Sequence, residues 1–219
     1  MTRPANAITR YTTLNRVNHW INAGLFLLLV ISGLSMFHPI LFWMSGLFGG
    51  GQWARAAHPW FGCGLVISYI GMFIQFWRHN TFNRDDVEWS RAIVKVVTND
   101  DEEVPPVARN NAGQKAVFWA MTALIPILFV TGLLIWEVYF GRATSIETQR
   151  VAVLIHSLCA FAAILVLVAH IYAGIWIRHS VRSMTQGWVT PGWAWHHHRK
   201  WFQQIIGYRR RGNAPGKHT

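Results

Sequence analysis

Four stretches of this chain contain no Asp, Glu, Lys or Arg: residues 17–37, 56–77, 116–136 and 151–177. The shortest has 21 residues, which as a helix rising about 1.5 Å per residue spans roughly 30 Å, the thickness of a bilayer's hydrocarbon core. Backbone groups in lipid must be satisfied within the segment, so each stretch is expected to be a helix. Packing the four as the core of a water-soluble protein would need polar sequence to cover them. Only 13% of the residues are charged, about half the share of an ordinary soluble domain. The fold class is therefore all-α. An integral membrane four-helix bundle is expected, one domain over 1–219, with an inner loop at 78–115 and a tail at 178–219.

The basic residues orient this bundle. Three precede the first stretch, six lie between the second and third, and eight follow the fourth. Thus 17 of the 20 lysines and arginines share one side, and only Arg55, Arg142 and Arg150 face the other. The positive-inside rule then places both termini and the 78–115 loop in the cytoplasm. The net charge of +11 follows from that topology, and membrane lipid, with no nucleic acid, is the expected partner of the basic tail. Residues 38–55 read as a glycine- and aromatic-rich outer loop. DDVEWSRAIVKVV in the inner loop reads as a short amphipathic helix, and WAWHHHRKWF in the tail as a segment on the headgroup surface. Cys63 and Cys159 fall inside the second and fourth stretches and read as packing residues. The first stretch is longer than a signal peptide's apolar region and is expected to be retained.

Histidine is the chain's unusual feature. Eleven are present, and most sit at helix ends or in the tail. Four do not: His19, His58, His156 and His170 lie within the apolar stretches, where an ionisable side chain is costly and usually functional. With alternating helix directions, His19 and His170 share the inner depth, and His58 and His156 share the outer. His156 and His170 are 14 residues apart, about 40° short of four turns and roughly 21 Å along the axis, so one helix face presents an imidazole at both depths. This suits two stacked porphyrins, each with bis-imidazole axial ligation. Gly24, Gly33, Gly62 and Gly64 would give a flat macrocycle room against the backbone. The absence of a C-x-x-C-H sequence excludes covalent attachment and makes the haems b-type. A proton relay would call for intramembrane carboxylates, of which the stretches have none. A membrane anchor or metal transporter using histidines without haem would spread polar ligands along its path.

RVNHW, ISGLS, HPWFG, NAGQK, VTGLLIW, LIH and AHIYAGIWI, in that order, resemble the cytochrome b556 (gamma) subunits of membrane-bound respiratory formate dehydrogenases over essentially the whole chain. The resemblance implies two b haems, one on His19 and His170 and one on His58 and His156, the pairing already reached from depth. It also implies a quinone site, for menaquinone or ubiquinone, near the inner haem, built from Asn111, Gly113 and Gln114. Such residues can donate hydrogen bonds to a quinone carbonyl without adding charge. NNAG also reads as the cap of the third helix. The implied partners are an iron–sulfur (beta) subunit and a molybdenum or tungsten catalytic (alpha) subunit, with no catalytic residue for formate in this chain. The neighbouring reading is the cytochrome b of a nickel–iron hydrogenase or of a thiosulfate or polysulfide reductase.

Overall fold

The computed structural model describes residues 3–98, 105–140 and 143–212. The acidic run at 99–104, Arg142, and the end of the basic tail with Lys217 and His218 lie outside the described residues. In chain order the elements are β1 (Ile8–Thr9), α1 (Thr13–Phe37), a 3-10 helix (Pro39–Phe48), α2 (Gly51–Phe76), α3 (Arg84–Arg91) and α4 (Ile93–Thr98). They continue with α5 (Ala112–Ile135), α6 (Glu137–Phe140), α7 (Ile146–Trp176), α8 (Ser180–Thr185), β2 (Trp188–Val189), α9 (Pro191–His197) and α10 (Arg199–Gly212).

Four of these helices, α1, α2, α5 and α7, are long and apolar enough to cross a membrane. Each begins four or five residues before its charge-free stretch, taking in Arg16, Arg55, Lys115 and Arg150 respectively. Helical hydrogen bonding needs no absence of charge, and a long cationic stem can lie along apolar surface with its head in water. Residues 38–55 are not the open loop expected. His38 caps the 3-10 helix, its Nδ1 accepting from the Ile40 amide. The reversal into α2 then falls on Gly49 and Gly50, whose φ angles of 87° and 115° favour a residue without Cβ.

The chain divides into two compact units. One comprises Thr13–Phe76 and Trp119–Ala173. Its core gathers Leu65, Tyr69 and Ile125, with Leu25, Phe26 and Leu29 packed against them. Polarity in this unit is inverted relative to a water-soluble bundle. Ile67 is 73% and Leu158 63% exposed, whereas Asn22, Ser32, Ser35 and Thr131 are buried. Apolar exteriors with hydroxyl and amide groups inside are what a lipid solvent selects. α1 and α2 are held together by such groups: Asn22 Nδ2 donates to Ser68 Oγ at 2.7 Å and Asn15 Nδ2 to Gln75 Oε1 at 2.7 Å.

The second unit comprises the N-terminal segment through Thr12, Trp77–Phe118 and the chain from Gly174 onward. Here β1 pairs antiparallel with β2, Ile8 opposite Val189, so the fold is not purely helical. Ile8, Val189, Trp193, Ala194 and Trp201 form a buried cluster. The tail segment expected on a headgroup surface thus supplies a small core of its own. Buried Arg10 is framed by the Trp193 and Trp201 rings at 5.1 and 5.0 Å, a cation–π contact that offsets the loss of water. Arg10 Nη2 donates to the Arg109 carbonyl, and Arg109 Nη2 donates back to the Arg10 carbonyl. The inner-loop segment forms two short helices instead of one. α3 opens with a capping box between Asn83 and Asp86. Asp86 also receives Lys115 Nζ at 2.7 Å, both side chains being almost fully buried. Removing either partner from such a pair typically costs about 3–5 kcal/mol.

Candidate functional site

The four intramembrane histidines meet as two pairs. His58 on α2 faces His156 on α7 with ring centroids 6.3 Å apart. His19 on α1 faces His170 on α7, also at 6.3 Å. Two metal–imidazole bonds of about 2 Å each account for roughly 4 Å of such a separation, and the distance from each ring nitrogen to its own ring centre supplies the rest. Both pairs therefore suit a six-coordinate porphyrin iron between the rings.

The His58–His156 pair carries a second set of contacts that fixes its tautomer. Ser32 Oγ on α1 lies 2.7 Å from His58 Nδ1, and Thr131 Oγ1 on α5 lies 2.9 Å from His156 Nδ1. Each hydroxyl has one proton. Ser32 Oγ donates it to the Leu28 carbonyl at 2.7 Å, and Thr131 Oγ1 to the Ile127 carbonyl at 2.7 Å. The hydroxyl oxygens can then only accept from the rings, so Nδ1 bears the hydrogen and Nε2 keeps its lone pair for a metal. The residue after each hydroxyl is glycine. A Cβ on Gly33 would stand 3.3 Å from His58 Cε1, and one on Gly132 3.5 Å from His156 Cε1. Of the other glycines expected to make room for a macrocycle, a Cβ on Gly64 would meet Leu25 at 3.5 Å, while one on Gly24 or Gly62 would meet nothing within 4 Å.

The His19–His170 pair lacks this support. His19 Nδ1 is buried with no hydrogen-bond partner among the described residues, and its ring meets the edge of Trp20 at 5.3 Å.

Within the other unit, a cavity of about 520 Å³ is lined by Asn111, Gln114, Trp89, Pro105, Trp176 and the three tail histidines His196, His197 and His198, among others. Asn111 and Gln114 form a capping box at the start of α5. Gln114 N donates to Asn111 Oδ1 at 2.9 Å, and Asn111 N to Gln114 Oε1 at 3.1 Å. The cap occupies both amide oxygens and leaves both NH₂ groups available as donors. Capping and ligand binding are therefore compatible roles for the same two side chains. Gly113, grouped with them from sequence, does not line the cavity. Its place on the helix is where Trp89 packs, at 3.3 Å from a would-be Cβ.

The tail histidines are unlike one another. His198 Nδ1 donates to the Ala108 carbonyl at 2.9 Å, and its Nε2 accepts from Arg10 Nη2 at 3.1 Å. Burial, with the Arg10 cation beside it, holds this imidazole well below the usual histidine range and so neutral. Arg109 is likewise pushed down by burial. An unfolded His198 takes its proton near pH 6.5, before the folded one does. Its contribution to stability is therefore complete above about pH 6.5 and is lost as pH falls below that value. Limited proteolysis is expected to cut around residues 188–201 faster at pH 5 than at pH 7.5. In His198→Gln that pH dependence should flatten, and an unchanged profile would remove His198 as its cause.

Sequence reasoning missed Ser32 and Thr131, and it assigned the tail histidines to a surface. The hydroxyl–glycine doublets at 32–33 and 131–132 were the available signal for the first.

A four-helix membrane-spanning bundle with imidazoles facing each other in pairs defines a class, that of the multi-pass membrane cytochromes b. The chain belongs to the prokaryotic cytochrome b561 family, whose profile matches residues 10–187. It is 42% identical over 200 residues to the cytochrome b556(fdo) subunit of formate dehydrogenase from Escherichia coli K12, covering 91% of this chain and 94% of that one. It is 34% identical to the cytochrome b556(Fdn) subunit of the nitrate-inducible formate dehydrogenase of the same organism, over 90% and 91% of the two chains. Identity to the formate dehydrogenase cytochrome b556 subunit of Haemophilus influenzae is 32%, over 91% and 84%. The protein is thus a haem b electron carrier of the membrane.

Proposed function

We propose that this chain is the di-haem cytochrome b subunit of a formate dehydrogenase, carrying electrons across the bacterial inner membrane to a quinone. The observation that carries the reading is the presence of two histidine pairs, each with ring centroids at 6.3 Å and each sharing α7. Bound haem would supply one-electron transfer; His58 and His156 would hold one haem on the outer side, and His19 and His170 the other on the inner. The basic-residue distribution supports cytoplasmic termini, and the whole chain reads as one cytochrome b domain. At the cavity, Asn111 and Gln114 donate N–H hydrogen bonds to the carbonyl oxygens of a quinone, which takes two electrons from the haem side and two protons from cytoplasmic water to become quinol. Formate is oxidised elsewhere, on a molybdenum or tungsten subunit, with an iron–sulfur subunit between. The names of the relatives support these partners.

A reduced-minus-oxidised visible spectrum of the purified chain, with haem quantified per polypeptide, tests the reading. Two b haems per chain are expected. One would mean that a pair is misassigned, and none would overturn the proposal.

A further inference from the structure

The two histidine pairs have equal ring separations but unlike surroundings. His58 and His156 each donate Nδ1–H to a hydroxyl that is itself pinned to a carbonyl one turn earlier on a neighbouring helix. His19 Nδ1, by contrast, is buried with no hydrogen-bond partner among the described residues. The two contacts at His58 and His156 repeat one device. A hydroxyl residue meets Nδ1, and the glycine after it takes the Cε1 edge of the same ring, once from α1 and once from α5.

We propose that Ser32 and Thr131 are positioning residues that tune the potential of the haem held by His58 and His156, leaving the other haem untouched. The inference rests on the di-haem reading above. A ring that donates Nδ1–H to an oxygen keeps more electron density at Nε2 and becomes a more basic ligand. A more basic axial ligand stabilises ferric over ferrous iron and lowers the potential. Both ligands of one iron would receive this push, whereas His19 at the other would not. A carboxylate would push harder, but at the desolvation cost of a buried charge. A hydroxyl whose own proton is spent on a carbonyl accepts without charge and cannot rotate away, so it also fixes the plane of each ring.

The test is a potentiometric titration of the full-length chain in detergent, followed at the haem absorbance. Comparisons are Ser32→Ala, Thr131→Val and the double variant. Wild type is expected to titrate as two components. Each single variant should raise the potential of the same component, the double variant should raise it further, and the second component should stay in place. Ser32→Thr and Thr131→Ser, which keep an acceptor, should restore the wild-type value. Wild-type potentials in the double variant with both haems present would overturn the inference, as would equal movement of both components. Should the double variant lose haem, Thr131→Val alone decides by the same criterion. A wild-type chain binding fewer than two haems would instead sink the di-haem reading, before any variant is compared.

Discussion

Replacing His58 or His156 with alanine is expected to cut the haem content from two per chain to about one, and His19→Ala or His170→Ala to remove the other haem. The reasoning is geometric. On the di-haem reading, each pair would offer an iron one imidazole from each of two helices, and α7 would serve both sites. Loss of one imidazole would leave the haem held from one side only, within an apolar bundle. The haem that remains should keep its spectrum, because the two imidazoles on α7 stand 14 residues apart. Electron flow to quinone should fall to background in all four variants, since either loss breaks the path. Haem quantification per polypeptide checks the result, and two haems retained in His170→Ala would remove that residue from the ligand set.

Gln114→Glu is expected to lower quinone reduction roughly tenfold or more while leaving the helix cap intact. Glutamate at this position still accepts from the Asn111 amide, as glutamine does at 3.1 Å, and is itself a favoured capping-box residue. What changes is the free end of the side chain. An NH₂ donor facing the cavity becomes a second oxygen that repels a quinone carbonyl. Gln114→Leu removes both functions, so it should lose stability as well as rate. Steady-state reduction of a soluble quinone by the donor-reduced complex, alongside thermal unfolding, separates the two. Equal rates for wild type and Gln114→Glu would leave the amides as a cap and nothing more.

Membrane class and histidine pairing could both be read in the sequence because each rests on a spacing. Twenty apolar residues measure a bilayer, and 14 residues return a helix to nearly the same face. The pairs His19–His170 and His58–His156 follow from depth alone and meet at the same ring separation. Helix ends were less legible, because charge marks where lipid stops and not where backbone hydrogen bonding does. α7 therefore runs back through Arg150 to Ile146. The packing of the tail was not legible for a different reason. WAWHHHRKWF has the composition of an interfacial segment, but its fate is decided by Ile8 and Arg10, some 180 residues earlier, and no local pattern announces so distant a contact. Ser32 and Thr131 were legible only as hydroxyls in apolar stretches, and their partners became known with the packing.

The pairing of Ile8 with Val189 also sets an order of events during synthesis. The first strand leaves the ribosome long before the second exists, and all four long helices are made in the interval. Until residues 188–201 emerge, Ile8 has no strand to pair with and Arg10 has neither the aromatic rings nor the imidazole that surround it in the finished fold. The non-local contact must wait for the chain's last fifth, and Ile8 stays uncovered meanwhile. A ribosome that stops short of Trp188 would release a chain with its membrane helices complete and its N-terminus unpaired. The ribbon thereby makes translation through about residue 201 a condition for closing this unit.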